Sequence, residues 1–510
     1  MNSSKFKIDL SSLNEGQKLA VTTTEGPVLI IAGPGSGKTK TLVDRIIYLI
    51  AEKNVTPENI MVSTFTEKAS KELITRVSNK VPTLNINEMY IGTLHSIFLR
   101  ILEENREFTR LKRNYRLLDQ FDQQYLIYQN MAEFDALDNM DSLLEDEKSR
   151  WKKANIIMNW LNKVGEESVD ENKLRESKDS SLIALAETQT LYNTLLKKEN
   201  ALDFSTIQSE TFELLDNHPP VLKTLQKKIK YIMVDEYQDT NTIQELILLK
   251  LASRNKNICV VGDDDQGLYR FRGATIRNIL EFPDNFSQKE CKKIYLSINY
   301  RSHPKIIDFF NNFMISQNWE MDGKQFRFQK DIIPNEKKTF IERPSVIKVS
   351  GETGKDNWHE DVYNFLIELK NSDRITDYNQ VAFLFKSVRS DKVTALANFL
   401  ETQGINVFSP RSKLFFAREE IRLLIGAVIF LFPQFKDLRE DIKGPVIGYY
   451  EDCLGLFAQA LQQKENLDLL KWAKTKALDH ENIIKNTTTN EDIKLFNMPL
   501  TIASCQTMFK

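Results

Sequence analysis

The sequence predicts an α/β protein built on parallel sheets and interrupted by all-helical insertions. Two observations carry that prediction. Short apolar runs end in polar residues and lead into amphipathic stretches, the pattern of buried parallel strands alternating with helices. From about residue 104 to residue 200 this pattern stops, and the chain becomes helical, charged and poor in glycine. At 510 residues the chain is too long for one core, so several domains are expected.

The first strand is Val28 to Ile31, running through Ala32 into Gly33-Pro34-Gly35-Ser36-Gly37-Lys38-Thr39. Lys40 to Ile50 follows with helical periodicity. Strand, glycine loop and helix in this order form the context of a phosphate-binding P-loop. The glycines let backbone N–H groups turn toward a polyphosphate, and the helix N-terminus adds partial positive charge. Lys38 would reach the β/γ-phosphates and Thr39 would hold Mg²⁺. Ala32 stands where the strict pattern asks for glycine. Upstream, Gln17 offers an acceptor and donors suited to the N6/N7 edge of adenine.

Asn59 to Thr66 reads as a second strand ending in hydroxyls and one aromatic, Ser63-Thr64-Phe65-Thr66, with a helix over Glu67 to Lys80. The carboxyl edge of a parallel sheet is where ligands bind. Gly92-Thr93-Leu94-His95-Ser96 opens another helix, and with no second His or Cys near it His95 reads as a hydrogen-bonder rather than a metal ligand. The stretch from Glu103 to Asn200 begins with a basic cluster (Arg106, Arg110, Lys112, Arg113, Arg116), read as a solvated face before a nucleic-acid contact.

Tyr231 to Val234 is a strand ending in Asp235-Glu236, where Asp235 can hold Mg²⁺ and Glu236 can polarise the attacking water. Asn257 to Gly262 is a strand ending in Asp263-Asp264-Asp265-Gln266, and Gln266 could sense a γ-phosphate. The following Tyr269-Arg270-Phe271-Arg272 alternates aromatics and cations, which suits stacking on bases and neutralising phosphates. Lys293 to Ile298 is a strand ending in Asn299-Tyr300-Arg301-Ser302, with Arg301 a candidate arginine finger. Two more strands, Ser345 to Val349 and Val381 to Lys386, flank a helix through Trp358 and Leu366. They imply a second α/β domain after about residue 286. Leu423 to Phe432 reads as a buried helix, and the chain beyond Pro433 as helical.

Composition narrows the function classes. The net charge of −2 gives no global basic field, so nucleic-acid binding would use a local groove. The four cysteines form no Cys-x-x-Cys pair, which argues against a disulfide framework or a metal cluster. Met1 to Leu10 lacks a signal-peptide core, and the longest apolar run is too short for a membrane span. A cytoplasmic protein with reduced thiols is expected.

Taken together and in order, Leu13-Asn14-x-x-Gln17, Ala32 to Thr39, Ser63 to Ala69, Gly92 to Ser96, Val234 to Asn241, Val261 to Ala274 and Asn299 to Ser302 strongly resemble the motifs of the UvrD/Rep-type superfamily 1 DNA helicases. Leu202-Asp203-Phe204 and Val381 to Arg389 resemble that family's minor motifs. The family's own P-loop carries alanine at the Ala32 position. The resemblance covers residues from about 10 to about 435. It implies tandem RecA-like P-loop NTPase domains: a first motor domain over 1–103 and 201–285, a helical insertion over 104–200, a second, incomplete motor domain over 286–432, and the start of a second insertion over 433–510. It implies ATP and Mg²⁺ as cofactors, single-stranded DNA and ss/ds junctions as partners, 3′ to 5′ translocation with duplex unwinding, and work in DNA repair or replication. Residue by residue, it implies that Gln17 reads adenine, with Tyr300 stacking on it and Lys40 near the base. Residues 32–39 hold the phosphates, and Thr39 and Asp235 hold Mg²⁺. Glu236 activates water, and Gln266 and Arg301 reach the γ-phosphate. Thr64, Phe65, His95, Tyr269, Phe271 and Arg272 match DNA-contacting positions. Lys40 replaces the usual arginine and Phe271 the usual tryptophan, which weakens stacking.

The family's later motifs, a Thr-x-His-x-x-Lys-Gly-Leu-Glu type segment and a closing arginine motif, are not present. Two readings therefore stand: an ATP-dependent helicase or its N-terminal part, and a non-unwinding ATP- and DNA-binding accessory protein. A second chain or a downstream segment would complete the motor. A P-loop kinase finds no support in the aromatic and arginine stretch.

Overall fold

The computed structural model describes residues 8–82, 85–145, 147–270, 273–287, 290–340, 345–347, 358–388, 390–408, 418–432, 445–463 and 466–486. They fall into two compact units, Met1–Ile347 and Lys348–Lys510.

The strands of the first unit used below are β1 (Val28–Ala32), β2 (Ile60–Ser63), β3 (Tyr90–Gly92), β4 (Arg116–Leu117), β5 (Ala201–Leu202), β6 (Tyr231–Val234), β7 (Ile258–Gly262), β8 (Lys292–Leu296) and β9 (Ile298–Asn299). A six-stranded sheet has the order β3-β2-β6-β7-β1-β8, with every neighbouring pair parallel. The helices placed on it include α1 (Glu15–Thr22), α2 (Lys38–Ala51), α3 (Glu67–Lys80) and α4 (Leu94–Glu104).

Both faces of the sheet are covered, which is why its strands read as continuous apolar runs. Leu29, Ile31, Met61, Ile232, Val234 and Val260 pack on one side with α4 and with the helices Phe204–Asn217 and Thr242–Ala252. Their sequence neighbours Val28, Ile30, Ala32, Ile60, Val62, Met233, Cys259 and Val261 pack on the other side with α2 and α3. Because all strands run the same way, Gly33, Thr64, Gly92, Asp235 and Asp263 emerge at one edge. This is an α/β, RecA-like sheet.

The helices between residues 120 and 198 build a separate core from Ile127, Phe134, Ile157, Met158, Leu185 and Leu196. The parallel pair β4–β5, with Arg116 opposite Ala201 and Leu117 opposite Leu202, staples the strand that leads into this segment to the strand that leads out.

In the second unit, helices Trp358–Asn371 and Asp391–Thr402 share a small core of Leu366, Leu396, Leu400 and Ile405. Helix Glu419–Leu431 packs on Pro445–Leu461 through Ala427, Phe457 and Leu461.

Three sequence expectations need revision. The strand expected to open a second domain after 286 is β8, which lies beside β1 with Val28 opposite Lys292 and Ala32 opposite Leu296. It satisfies the outer backbone groups of β1, and its alternating burial is that of an edge strand. The compact unit accordingly continues to Ile347. The strand expected over Val381 to Lys386 forms no ladder among the described residues, and Leu384 is 94% exposed. Apolar side chains alone do not make a strand without a neighbour for its N–H and C=O groups. Residues 345–347 are not a strand, and Lys348 and Val349 lie outside the described residues.

Candidate active site

The loop after β1 has the geometry its glycines predict. Gly35 and Gly37 have φ of +69° and +84°, in the left-handed region. Gly37 is the N-cap of α2 and offers no side chain, so the first N–H groups of α2 have no side-chain partner and face the loop. Ala32 is still part of β1 and fully buried, so an alanine fits where the strict pattern asks for glycine. Gly33 lies close under Ile332: a Cβ there would lie 2.1 Å from Cδ1 of Ile332, so that side chain would have to move to admit it. The Ser36 hydroxyl is buried without a hydrogen-bond partner.

β6 delivers the acids. Asp235 continues the ladder by donating its N–H to Ser63 at 2.9 Å. Glu236 then turns sharply, with φ +51°, and its N–H donates to Oδ1 of Asp235 at 3.0 Å. A non-glycine residue in this region is strained, as functional turns often are. The turn aims the Glu236 carboxylate at the P-loop, where Oε2 accepts from Lys38 Nζ at 2.7 Å and from Gln238 Nε2 at 2.9 Å. Burial, followed by the Glu236 charge, pushes the Asp235 carboxyl up to about 7, with Lys38 pulling the other way. Asp239 is likewise raised to about 7 by burial and Glu236. Its Oδ1 is buried without a partner.

β7 delivers Asp263, which is fully buried. Its N–H donates to Oε1 of Gln238 at 3.0 Å, and its Oδ2 accepts from Gln266 Nε2 at 2.6 Å. Gln266 is thus linked through Gln238 to Glu236. The oxygens of Asp263, Asp264 and Asp265 converge within 4.8 Å of one another, as in a cation site. The cation among them is the Lys330 ammonium, which donates to Asp263 at 2.5 Å and also to Asp264. Sequence reading missed Lys330 and Arg327, whose partners lie more than sixty positions away.

The segment after β9 sits on the P-loop. Asn299 Oδ1 accepts from the N–H groups of Arg301 and Ser302, both at 2.8 Å. Tyr300 donates its N–H to the Gly35 carbonyl at 2.9 Å. A Cβ on Gly35 would stand 2.6 Å from Asn299 Oδ1 and 2.9 Å from Cβ of Arg301. The Arg301 side chain is exposed, and its guanidinium makes no hydrogen bond or ion pair with the described residues. Sequence reading put Arg301 on a second domain; it lies instead in the same compact unit as Lys38, against the loop.

The base-side residues gather at the start of α1. Gln17 is buried, caps α1 through Asn14 and donates Nε2 to the Ser36 carbonyl at 2.9 Å. Asn14 Nδ2 donates to the Tyr300 hydroxyl at 2.7 Å, and Lys40 Nζ donates to Ser12 O and Oγ, both at 3.2 Å.

At the outer edge, Phe65 and Tyr269 are in ring contact, with centroids 4.6 Å apart. His95 packs edge-on against Phe204 at 5.4 Å, and burial holds its imidazole down at about 4, so it is neutral at pH 7. The Thr64 hydroxyl is buried and bonded within its own turn, to Ser70 Oγ at 2.5 Å and to Thr66 O at 3.1 Å. Phe271 and Arg272 lie outside the described residues.

No helix among the described residues is long and apolar enough to cross a membrane. A family model for the UvrD/REP helicase N-terminal domain matches residues 13–287, and one for the UvrD-like helicase C-terminal domain matches residues 294–493. The chain is similar to proteins named ATP-dependent DNA helicase PcrA. It is 38% identical over 315 residues to that of Staphylococcus epidermidis, covering 62% of this chain and 41% of that protein. To that of Bacillus subtilis it is 37% identical over 329 residues, covering 63% and 42%. To that of Staphylococcus aureus it is 37% identical over 315 residues, covering 62% and 41%. The chain thus spans about two-fifths of the length of the curated relatives it matches. With the P-loop, the Asp235-Glu236 turn and the Gln266 loop all inside a match that takes in more than half of its residues, the chain belongs to the UvrD/REP helicase family.

Proposed function

We propose that this chain binds ATP with Mg²⁺ at the Lys38 loop and hydrolyses it to drive movement along single-stranded DNA. The observation that carries this reading is the 2.7 Å contact between Lys38 Nζ and Glu236 Oε2, which puts a phosphate-binding ammonium beside a carboxylate able to accept a proton from water. Lys38 leaves Glu236 for the β/γ-phosphates, and the freed carboxylate takes the proton of the attacking water. Gln266 and the guanidinium of Arg301 complete the contacts to the γ-phosphate. Gln17, Lys40 and Tyr300 border the base, with Tyr300 stacking on it.

The residues fit a divalent cation. Asp235 and Thr39 offer hard oxygen ligands, and Oδ1 of Asp239, four positions past Asp235, is buried with no hydrogen-bond partner. Bound there, Mg²⁺ neutralises charge on the phosphates.

Phe65 and Tyr269, in ring contact, form the stacking platform for bases, and Phe271 and Arg272 are assigned to DNA from their motif positions alone. Tyr269 follows Gln266 by three residues, so a base seated on it acts on the loop that senses the γ-phosphate. In this reading the whole protein steps 3′ to 5′ and opens duplexes at ss/ds junctions during repair or replication in the cytoplasm, with a first motor domain that includes β8 beside β1. The test is ATP hydrolysis by the chain with and without oligo(dT). Stimulation of at least tenfold is expected, and hydrolysis indifferent to DNA would refute the motor reading. Strand displacement on a 3′-tailed duplex measures unwinding separately.

A further inference from the structure

Residues 327–335 run as a strap across the carboxyl edge of the sheet and take no part in the roles assigned above. At one end the strap grips the loop after β7. Lys330 has a side chain only 1% exposed, and its ammonium donates to Asp263 at 2.5 Å and to Asp264, with Asp265 3.3 Å away. Arg327 makes a two-pronged contact with Asp265 at 2.7 and 3.0 Å. The Phe328 N–H donates to Asp264 Oδ2 at 2.8 Å. At the other end the strap holds the P-loop and the arginine segment. Ile332 fills the space over Gly33. Ile333 and Pro334 pair in parallel with Ile298 and Asn299, and Asn335 donates its N–H to the Asn299 carbonyl at 3.0 Å.

An ammonium this deeply buried is costly, and apolar packing of the same volume usually stabilises a fold at least as well. What the charge adds here is register. Lys330 and Gln266 hold the two oxygens of the Asp263 carboxylate between them. The Asp263 N–H leads through Gln238 to Glu236 and so to Lys38. An unbroken run of hydrogen bonds therefore joins Lys330 to the P-loop lysine.

We propose that Lys330 is a positioning residue for ATP turnover: by fixing Asp263 it aims the Gln266 carboxamide, and through the strap it sets Gln266 and Arg301 in one common frame over the γ-phosphate. Lys330 does not touch the nucleotide. A shift of the 263–269 loop when DNA seats on Tyr269 passes through this ammonium to both γ-phosphate contacts. The inference rests on the nucleotide reading given above.

The test replaces Lys330→Met together with Asp264→Asn, which removes the ammonium and one of the carboxylates it neutralises. Turnover is measured at saturating oligo(dT) and expressed per nucleotide-binding site, counted by titration with a fluorescent ATP analogue. A fall in kcat of at least tenfold is expected, with KM for ATP and affinity for oligo(dT) within threefold of the parent chain. A merely structural Lys330 would lower the number of competent sites and leave kcat per site unchanged; that outcome overturns the proposal, as does a rise in KM at constant kcat. If the paired variant does not fold, Arg327→Gln is judged by the same split, with a threefold fall in kcat per site as the threshold. A parent chain without DNA-stimulated hydrolysis overturns the motor reading and this inference together. A stimulated parent with an unaffected variant overturns only the inference.

Discussion

Replacing Glu236→Gln separates chemistry from binding and from folding. The glutamine keeps an oxygen that can accept from both Lys38 and Gln238, the two donors now at 2.7 and 2.9 Å, but it cannot take a proton from water. General-base assistance is worth about 10² to 10⁴ in rate, which at 1.36 kcal/mol per tenfold is about 3–5 kcal/mol of barrier. The stability cost is smaller. The Lys38–Glu236 pair is largely buried, with side chains 13% and 31% exposed, but the glutamine oxygen keeps both hydrogen bonds, so only their charge assistance is lost, about 1–2 kcal/mol. Removing the charge that raises Asp235 offsets part of that. ATP affinity should hold or improve, because Lys38 no longer leaves an ion pair to meet the phosphates. Three measurements on one preparation decide: phosphate release at saturating ATP and oligo(dT), titration with a fluorescent ATP analogue, and thermal melting. Turnover should fall at least a hundredfold with binding and melting nearly unchanged. Turnover within threefold of the parent chain would remove Glu236 from the chemistry.

Other substitutions and conditions probe the remaining parts. Gly35→Ala forces a side chain into a left-handed backbone, at about 1–2 kcal/mol, and against Asn299 Oδ1 at 2.6 Å; chemical denaturation should show a loss of more than ~1 kcal/mol together with weakened nucleotide binding. Phe65→Ala and Tyr269→Ala should each weaken oligo(dT) binding by about 1–3 kcal/mol, read by fluorescence anisotropy, with ATP affinity unaltered. Stability should also depend on pH. Asp235, Asp239, Glu166 and Glu245 are all raised to about 7 by burial. A raised carboxyl binds its proton more tightly in the folded state, so its contribution is full at low pH and is lost as pH rises through about 7. The melting temperature should therefore rise as pH drops from 8 to 6.5. Below 6.5 the gain should continue but less steeply, because His95, held at about 4 in the fold, takes up a proton more readily when unfolded and offsets one of the four carboxyls. A higher melting temperature at pH 8 than at pH 7 would contradict this balance.

Contiguous features of the fold and site were the legible ones. Strand, glycine loop and helix lie next to one another at residues 28–50, and their local conformations follow from residue type: φ > 0 at Gly35 and Gly37, and a helix whose free N–H groups face the loop. The Asp235-Glu236 turn was legible for the same reason, since an apolar strand must end before its first carboxylates. Long-range partners were not. Lys330 reads as an ordinary surface lysine until the fold brings it to Asp263, 67 positions earlier. The membership of β8 was hidden too, because an apolar run announces a strand but not its neighbour. Arg301 was read as a candidate cation for the γ-phosphate, while its seat on the first unit depends on Asn299 and on the Tyr300 N–H to Gly35 bond. The run over Val381 to Lys386 failed in the opposite direction: strand-like composition met no ladder among the described residues. Thr64 shows a hydroxyl whose position was foreseen but whose bonds turn inward.

The contact between Gly33 and Ile332 bears on how such a loop can change over generations. Unlike Gly35 and Gly37, Gly33 has no left-handed φ, so its backbone would admit alanine; what stands in the way is the Ile332 side chain, 2.1 Å from the added carbon, which would have to be displaced. The letter at 33 is thus dictated by a distant neighbour. Gly33→Ala should disable the loop when introduced alone and be largely tolerated beside Ile332→Ala, so a lineage that first trims residue 332 acquires a freedom at residue 33 that its relatives lack.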